Sequence, residues 1–561
     1  MYFLRSFSLG LMLFFVCFGC ATSRFLKSIF STTQSTEQHD KRDFLGILQD
    51  GTSLQNCSSV NDALITKTAS FVKKYPSIKL QKTNTLDYFI KNQSKTDVDQ
   101  IQKDIGFFAQ TATIFLSVKV KKLIALFLEH KKIHGNQQEK LYYKSMDENE
   151  FIKKLMLKKY FVYARLGGGL YVHTGKKLSV YPSGLNEKGF DINNNLTLDE
   201  VKIGALIGTI SGTHFINDGN RMNNARFEKL QDRLSKGWVA AQVGACFEKE
   251  NILEWQEVFI TENQNTVEHG YGKQHKSGDA AHDFKKLWQE FYELKEPLPT
   301  FGEVKQFCTA SPATKTIEEI KYIKLDAKGT LYCNLEVYKK RMEAVLIPFL
   351  KIADELGIHH EKDVCLYATG LGLGVWAQVP APYSTLQNIE TLPKAIQHEF
   401  RSYFKIEQNQ VIDVLKYLCS YVQIKIYESY FAKYQASRIK KVYLSWFMNN
   451  HHNKDTVLQT IDTKPTHYKN DVSKKLTTWN KTEVFWTTLP PASPFFENEA
   501  MINVSNFAWD GATQVGNEYW IEALTASADP AAAAASHITT YQNPHVNEKL
   551  LENIVFFTTS D

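Results

Sequence analysis

The sequence is poor in glycine and proline, with 29 and 15 among 561 residues. Those amounts exclude collagen-like and proline-rich low-complexity architectures. Cysteine is scarce too: there are eight, and Cys17 and Cys20 lie inside an apolar leader. The other six (Cys57, Cys246, Cys308, Cys333, Cys365, Cys419) are far apart and show no paired spacing. They describe neither a disulfide scaffold nor a zinc site, and most read as buried thiols. There is no H-E-x-x-H, and the doublets His359-His360 and His451-His452 sit among polar residues as loop histidines, so no metal is expected. An excess of one charge is also lacking. Lys and Arg number 66 and Asp and Glu 60, leaving +6 without the dense basic cluster of a dedicated nucleic-acid binder. No internal repeat is visible, and no spanning segment follows the leader.

What is present is material for packed cores, with 43% hydrophobic and 13% aromatic residues. At roughly 150 residues per domain the length predicts about two to four units. One positive charge at Arg5, an apolar run from Leu9 to Phe18 and small residues at Gly19 and Ala21 predict a secretory signal peptide over 1–21. That makes the protein exported or secreted, with a retained N-terminal anchor as the rival. A polar linker over 22–42 precedes a helical, Lys-rich domain over 43–160. Within it, Phe107–Lys132 reads as a core helix with a solvated lysine edge, or as a peripheral contact with an anionic membrane.

From Phe161 short apolar runs alternate with Gly and Asn turns, which predicts strands. A helix is expected over Asn334–Leu356 with Gly357 as its stop, then a buried strand over Val364–Ala368, a helix over Gln408–Tyr434 and a strand over Lys441–Phe447. This order predicts an α/β fold in which helices cover a sheet. A region over 161–330 would wall one side of a site held by 331–561.

Two segments carry chemistry. In CLYATGLGLGVWAQ, Gly370, Gly372 and Gly374 follow directly on the predicted strand. Glycines there let successive N–H groups converge on phosphate oxygens at the carboxyl end of a strand. A purely structural turn is the other reading, since the run is neither a P-loop nor a clean G-x-G-x-x-G. In the second segment, Asn503–Asn547, Asp510 and Glu518 flank a Gly-rich turn, with Asn517 beside Glu518 and aromatics at Trp509, Tyr519 and Trp520. Asp529-Pro530 before an alanine run is a helix start, so Asp529 also has a plain role as an N-cap.

The stretch Cys365–Trp376 resembles the glycine loop of macrodomain-type ADP-ribosyl hydrolases, including poly(ADP-ribose) glycohydrolases, with its glycines shifted. More closely, INDGNR, AQVGACFE, EWQEVFIT, TGLGLGVWAQ, WDG-x-x-x-x-GNEYW and ASADPAAA resemble the MavL-like effector family of intracellular bacterial pathogens. That resemblance implies a macrodomain-like mixed sheet flanked by helices over 331–561, binding ADP-ribose as ligand or product without a further cofactor. It implies removal of ADP-ribose from a modified protein, ubiquitin in the known case, by a virulence effector. Thr369, Gly370, Leu371, Gly372, Leu373, Gly374, Val375, Trp376 and Asn517 would hold the ligand, and Asp510, Glu518 and Asp529 would be catalytic. One carboxylate would activate water while its neighbour orients the ribose. The family's injection route needs no leader, so the apolar N-terminus departs from the pattern. Three rivals stand beside this reading. A non-catalytic ADP-ribose reader would use the same cradle, and a host-interaction protein would act through its helical half. An ADP-ribosyltransferase is the third, because Arg165, Ser211-Gly212-Thr213 and Glu257 faintly resemble its strand positions.

Overall fold

The computed structural model describes residues 44–50, 57–75, 80, 82–94, 97–159, 163–165, 169–171, 177–178, 191–220, 225–274, 278–310, 316–447, 474–498, 500–509, 535 and 537–557. Leader and linker lie outside them, as does the doublet His451-His452.

The expected α/β architecture is found as a nine-stranded mixed sheet flanked by helices. In chain order its strands are β1 (Thr113–Ser117), β2 (Gly208–His214), β3 (Lys236–Gln242), β4 (Asp363–Thr369), β5 (Ile439–Ser445), β6 (Lys474–Trp479), β7 (Thr482–Trp486), β8 (Met501–Ala508) and β9 (Ile554–Phe557). Their order across the sheet is β6-β7-β5-β4-β8-β3-β2-β1-β9. The central five, from β7 to β3, are parallel. The middle strands are buried on both faces, and β4 accordingly reads as the near-continuous run DVCLYAT.

The connections decide where a ligand can sit. From β4 the chain moves to its neighbour β5, whereas after β7 it returns past β4 to place β8 on the other side. Strand order therefore reverses at β4 and β8, and such a switch opens a crevice beyond the carboxyl ends of the strands. The loops after β3 and β4 and the first residue after β8 meet there.

Four helices position this edge: α1 (Val98–Thr111), α2 (Val118–His134), α3 (Leu335–His359) and α4 (Val414–Lys433). Asn334 caps α3 by accepting from Val337 N, and Asp413 caps α4 by accepting from Lys416 N. α3 packs on β4, on β8 and on α4, and it passes Gly357 by two residues to end at His359. The stretch Phe107–Lys132 is not one helix. Its middle, TIFLS, is β1, fully buried and paired with both β2 and β9. The rest belongs to α1 and α2, and α2 turns Val120, Leu123, Ile124, Phe127 and Leu128 into the core. The run LEWQEVFIT also differs from its strand prediction, forming a helical turn over Trp255–Val258 before a two-residue strand.

Candidate functional site

The glycine loop leaves β4 under tight control. Gly370 N donates to Ser445 O on β5 at 3.0 Å. Leu371 is held on both sides by one amide: its N donates to Gln423 Oε1 at 2.9 Å, and Gln423 Nε2 donates to its carbonyl at 2.8 Å. Gln423 belongs to α4 and also donates to the Tyr338 hydroxyl on α3 at 3.0 Å. Two helices thus fix the start of the loop from behind. The chain then turns through Gly372 at φ +69°, where a Cβ would be strained.

The loop after β3 crosses this turn at backbone contact distance. A Cβ on Gly244 would lie 2.3 Å from Gly372 N, and one on Gly372 would lie 2.8 Å from Ala245 O. Beyond the crossing, Phe247 N donates to Trp376 O at 2.9 Å. The third element, β8, ends with Trp509 N donating to Gln242 O at 3.0 Å.

Behind the 243–246 loop lies an ion pair with full burial. Arg341 on α3 meets the Glu254 carboxylate through Nε at 3.0 Å and Nη2 at 2.9 Å. Its Nη2 also faces the carbonyls of Ala205, Val243 and Gly244 at 3.2–3.3 Å. The second oxygen of Glu254 accepts from Cys246 N at 3.3 Å. In a planar trans peptide the N–H points opposite the carbonyl. With the carbonyls of Val243 and Gly244 turned to Arg341, the N–H groups of Gly244 and Ala245 point away from that side chain.

The turn at 204–207 is gripped by a second buried cation. Lys159 Nζ donates to Gly204 O at 2.9 Å and to Ile207 O at 3.2 Å, and lies 3.9 Å from the centre of the Trp509 ring. Burial pushes its ammonium well below the usual lysine range. Burial also raises Glu248, one residue past the Phe247–Trp376 bond, and one of its oxygens is enclosed without a donor. Thr369 Oγ1 and Trp509 Nε1, at the ends of β4 and β8, are buried and have no hydrogen-bond partner among the described residues. Buried polar atoms of this kind at two adjacent strand ends fit a polar ligand.

The sequence-derived site is therefore placed in part. Thr369–Trp376 lies at the carboxyl edge, at the switch point. Asp510, Asn517, Glu518 and Asp529 lie outside the described residues, although Trp509 brings the chain to the same edge. Gly244, Ala245, Gln423, Arg341 and Glu254 are assigned no role by the sequence. Three of them do fall in stretches that carry the family resemblance, Gly244 and Ala245 in AQVGACFE and Glu254 in EWQEVFIT, and Gly244 also ends the apolar run GWVAAQVG, the same strand-then-glycine pattern that marks Gly370. Two of the transferase positions are engaged in buried pairs with other residues. Ser211 is mid-strand and accepts from Gln542 Nε2 at 3.0 Å, and Glu257 is enclosed between Lys202 and Lys285. The side chain of Arg165 lies outside the described residues.

Comparison with known proteins gives the family of the chain. The family described as ADP-ribosylhydrolase MavL-like matches residues 72–414 and 420–556. The chain is similar to the ADP-ribosylarginine hydrolase CG3568 of Drosophila melanogaster, 26% identical over 479 residues, spanning 82% of this chain and 79% of the relative. It is also similar to the ADP-ribosylarginine hydrolase CG2909 of the same fly, 24% identical over 468 residues, spanning 82% of this chain and 80% of that protein. With most of its length matched, and with a backbone cradle at the switch point of its sheet, this chain belongs to the MavL-like ADP-ribosylhydrolase family.

Proposed function

We propose that the protein is a hydrolase that releases ADP-ribose from arginine side chains of modified proteins. The observation that carries this reading is the crossing of two glycine-bearing loops at the switch point, Gly244 against Gly372. Backbone amides stabilise a diphosphate without a bound cation. Arginine is the linkage that both fly relatives carry in their names. Ubiquitin as the carrier protein has no such support.

In the reaction a water oxygen adds to the anomeric carbon of the distal ribose and the carbon–nitrogen bond breaks. The guanidino group departs with a proton, and ADP-ribose leaves with a new hydroxyl. Asp510 or Glu518 takes the proton from water and passes it on to the departing guanidino nitrogen, and the other orients the ribose hydroxyls. Asp529 lends negative charge near the sugar.

The experiment supplies peptides carrying ADP-ribose on arginine, serine or glutamate and follows ADP-ribose release by mass spectrometry. Release from arginine, reduced about 100-fold or more in Asp510→Ala or Glu518→Ala, is expected. Binding without turnover on any linkage would make the protein a reader, and turnover of serine or glutamate alone would overturn the arginine assignment.

A further inference from the structure

Five hydrogen bonds converge on Arg341 and Glu254, and three of them end on the loop that crosses Gly372. We propose that this buried pair is a positioning device, setting the direction of the Gly244 and Ala245 amides and hence the grip of the cradle on a diphosphate. The inference rests on the cradle reading above and names what orients it.

A peptide plane at a strand end can turn by rotation about its two flanking bonds, and nothing in the ladder holds residues beyond Gln242. Arg341 supplies that hold, because one nitrogen faces the carbonyls of both Val243 and Gly244. Glu254 fixes the next unit by accepting from Cys246 N, so three successive peptides are oriented by one ion pair. Polarising a carbonyl also strengthens the donor at the other end of the same peptide. Arginine suits the task because its planar fork spans carboxylate and carbonyls together, whereas a lysine ammonium is a single point.

The chain provides its own control. Glu257, between Lys202 and Lys285, is equally buried and charged, but its ion pairs touch neither loop. Both clusters are expected to support stability; only Arg341–Glu254 is expected to govern the cradle.

The test compares wild type, Arg341→Lys, Glu254→Gln and Glu257→Gln. Gln at 254 keeps one acceptor for Arg341 but puts an amide where Cys246 N–H needs an oxygen. Calorimetric titration with ADP-ribose is expected to show affinity at least tenfold weaker in the first two variants, with adenosine affinity within threefold of wild type. Glu257→Gln is expected to melt earlier while keeping wild-type affinity. Without ligand, amide hydrogen exchange over 243–247 is expected to quicken at least tenfold in Arg341→Lys and Glu254→Gln, and not in Glu257→Gln. Wild-type affinity and exchange in folded Arg341→Lys or Glu254→Gln would overturn the proposal, as would equal losses in Glu257→Gln. If wild type binds no ADP-ribose, the functional reading falls, and the exchange result alone decides the positioning role.

Discussion

At three glycines of the crossing loops an added methyl group meets three different surroundings. At Gly244 it runs into the backbone of Gly372, and at Gly372 it meets Ala245 O while φ is +69°. At Gly374 it meets no atom within 4 Å. Gly244→Ala should therefore lower stability by about 1–3 kcal/mol, as overpacking does, and weaken ADP-ribose binding tenfold or more. Gly374→Ala should leave melting unchanged, since the added methyl meets open space, and under the proposed cradle reading it should weaken ADP-ribose at least threefold. Unchanged affinity in Gly374→Ala would remove that residue from the cradle. At this scale the sequence was half informative: the glycine run after β4 is visible by eye, whereas a lone glycine after β3 looks like any turn.

At the scale of elements, α4 acts on the site through a single side chain. Gln423 closes the backbone of Leu371 with two hydrogen bonds, all groups being buried. Gln423→Leu keeps the volume and leaves Leu371 N–H and C=O unpaired, at a cost of about 1–3 kcal/mol for each. Thermal melting should drop by several degrees, and limited proteolysis should cut first within 370–377. A variant that melts like wild type and resists protease there would show that β4 and β5 hold the loop alone. The helix α4 was legible from its apolar spacing, but its clamp was not, since a glutamine in an apolar run has no partner that spacing can name. The break in Phe107–Lys132 has a similar cause. Thr113–Ser117 fits a helix by neighbours, but burial between β2 and β9 makes it a strand.

For the whole molecule, the C-terminal segment latches the sheet. Gln542 bonds Thr209, Ser211 and Val239, Asn547 donates to Ala109 O, and β9 pairs with β1. His537 belongs to this latch: its Nε2 accepts from His214 N at 2.8 Å and lies 2.6 Å from Thr213 Oγ1. Burial, then the neighbouring His214 and Arg233, hold it well below the ordinary histidine range, so it stays neutral when folded. A depressed pKa in the folded state means stability is complete above the unfolded value near 6.5 and is lost as pH falls below it. Urea unfolding should therefore show wild type losing about 2 kcal/mol through this one group between pH 7.5 and pH 5. His537→Gln should lose that much less over the same range. Equal acid losses in the two proteins would remove His537 as a cause.

The sequence by itself determined the α/β class, the strand Val364–Ala368 with its glycine loop, and the main helices, because these follow from apolar spacing and glycine placement within a few turns of chain. It also carried the family, through motifs that stay together along the chain. Only the tertiary structure decided that β8 returns between β4 and β3, and that the loop after β3 crosses Gly372. It alone placed Arg341 behind that loop and the C-terminal segment on β2. Each of these joins residues roughly a hundred or more positions apart. Local patterns record how a segment buries its own face; they do not record which distant carbonyl a buried arginine will reach once the sheet has closed.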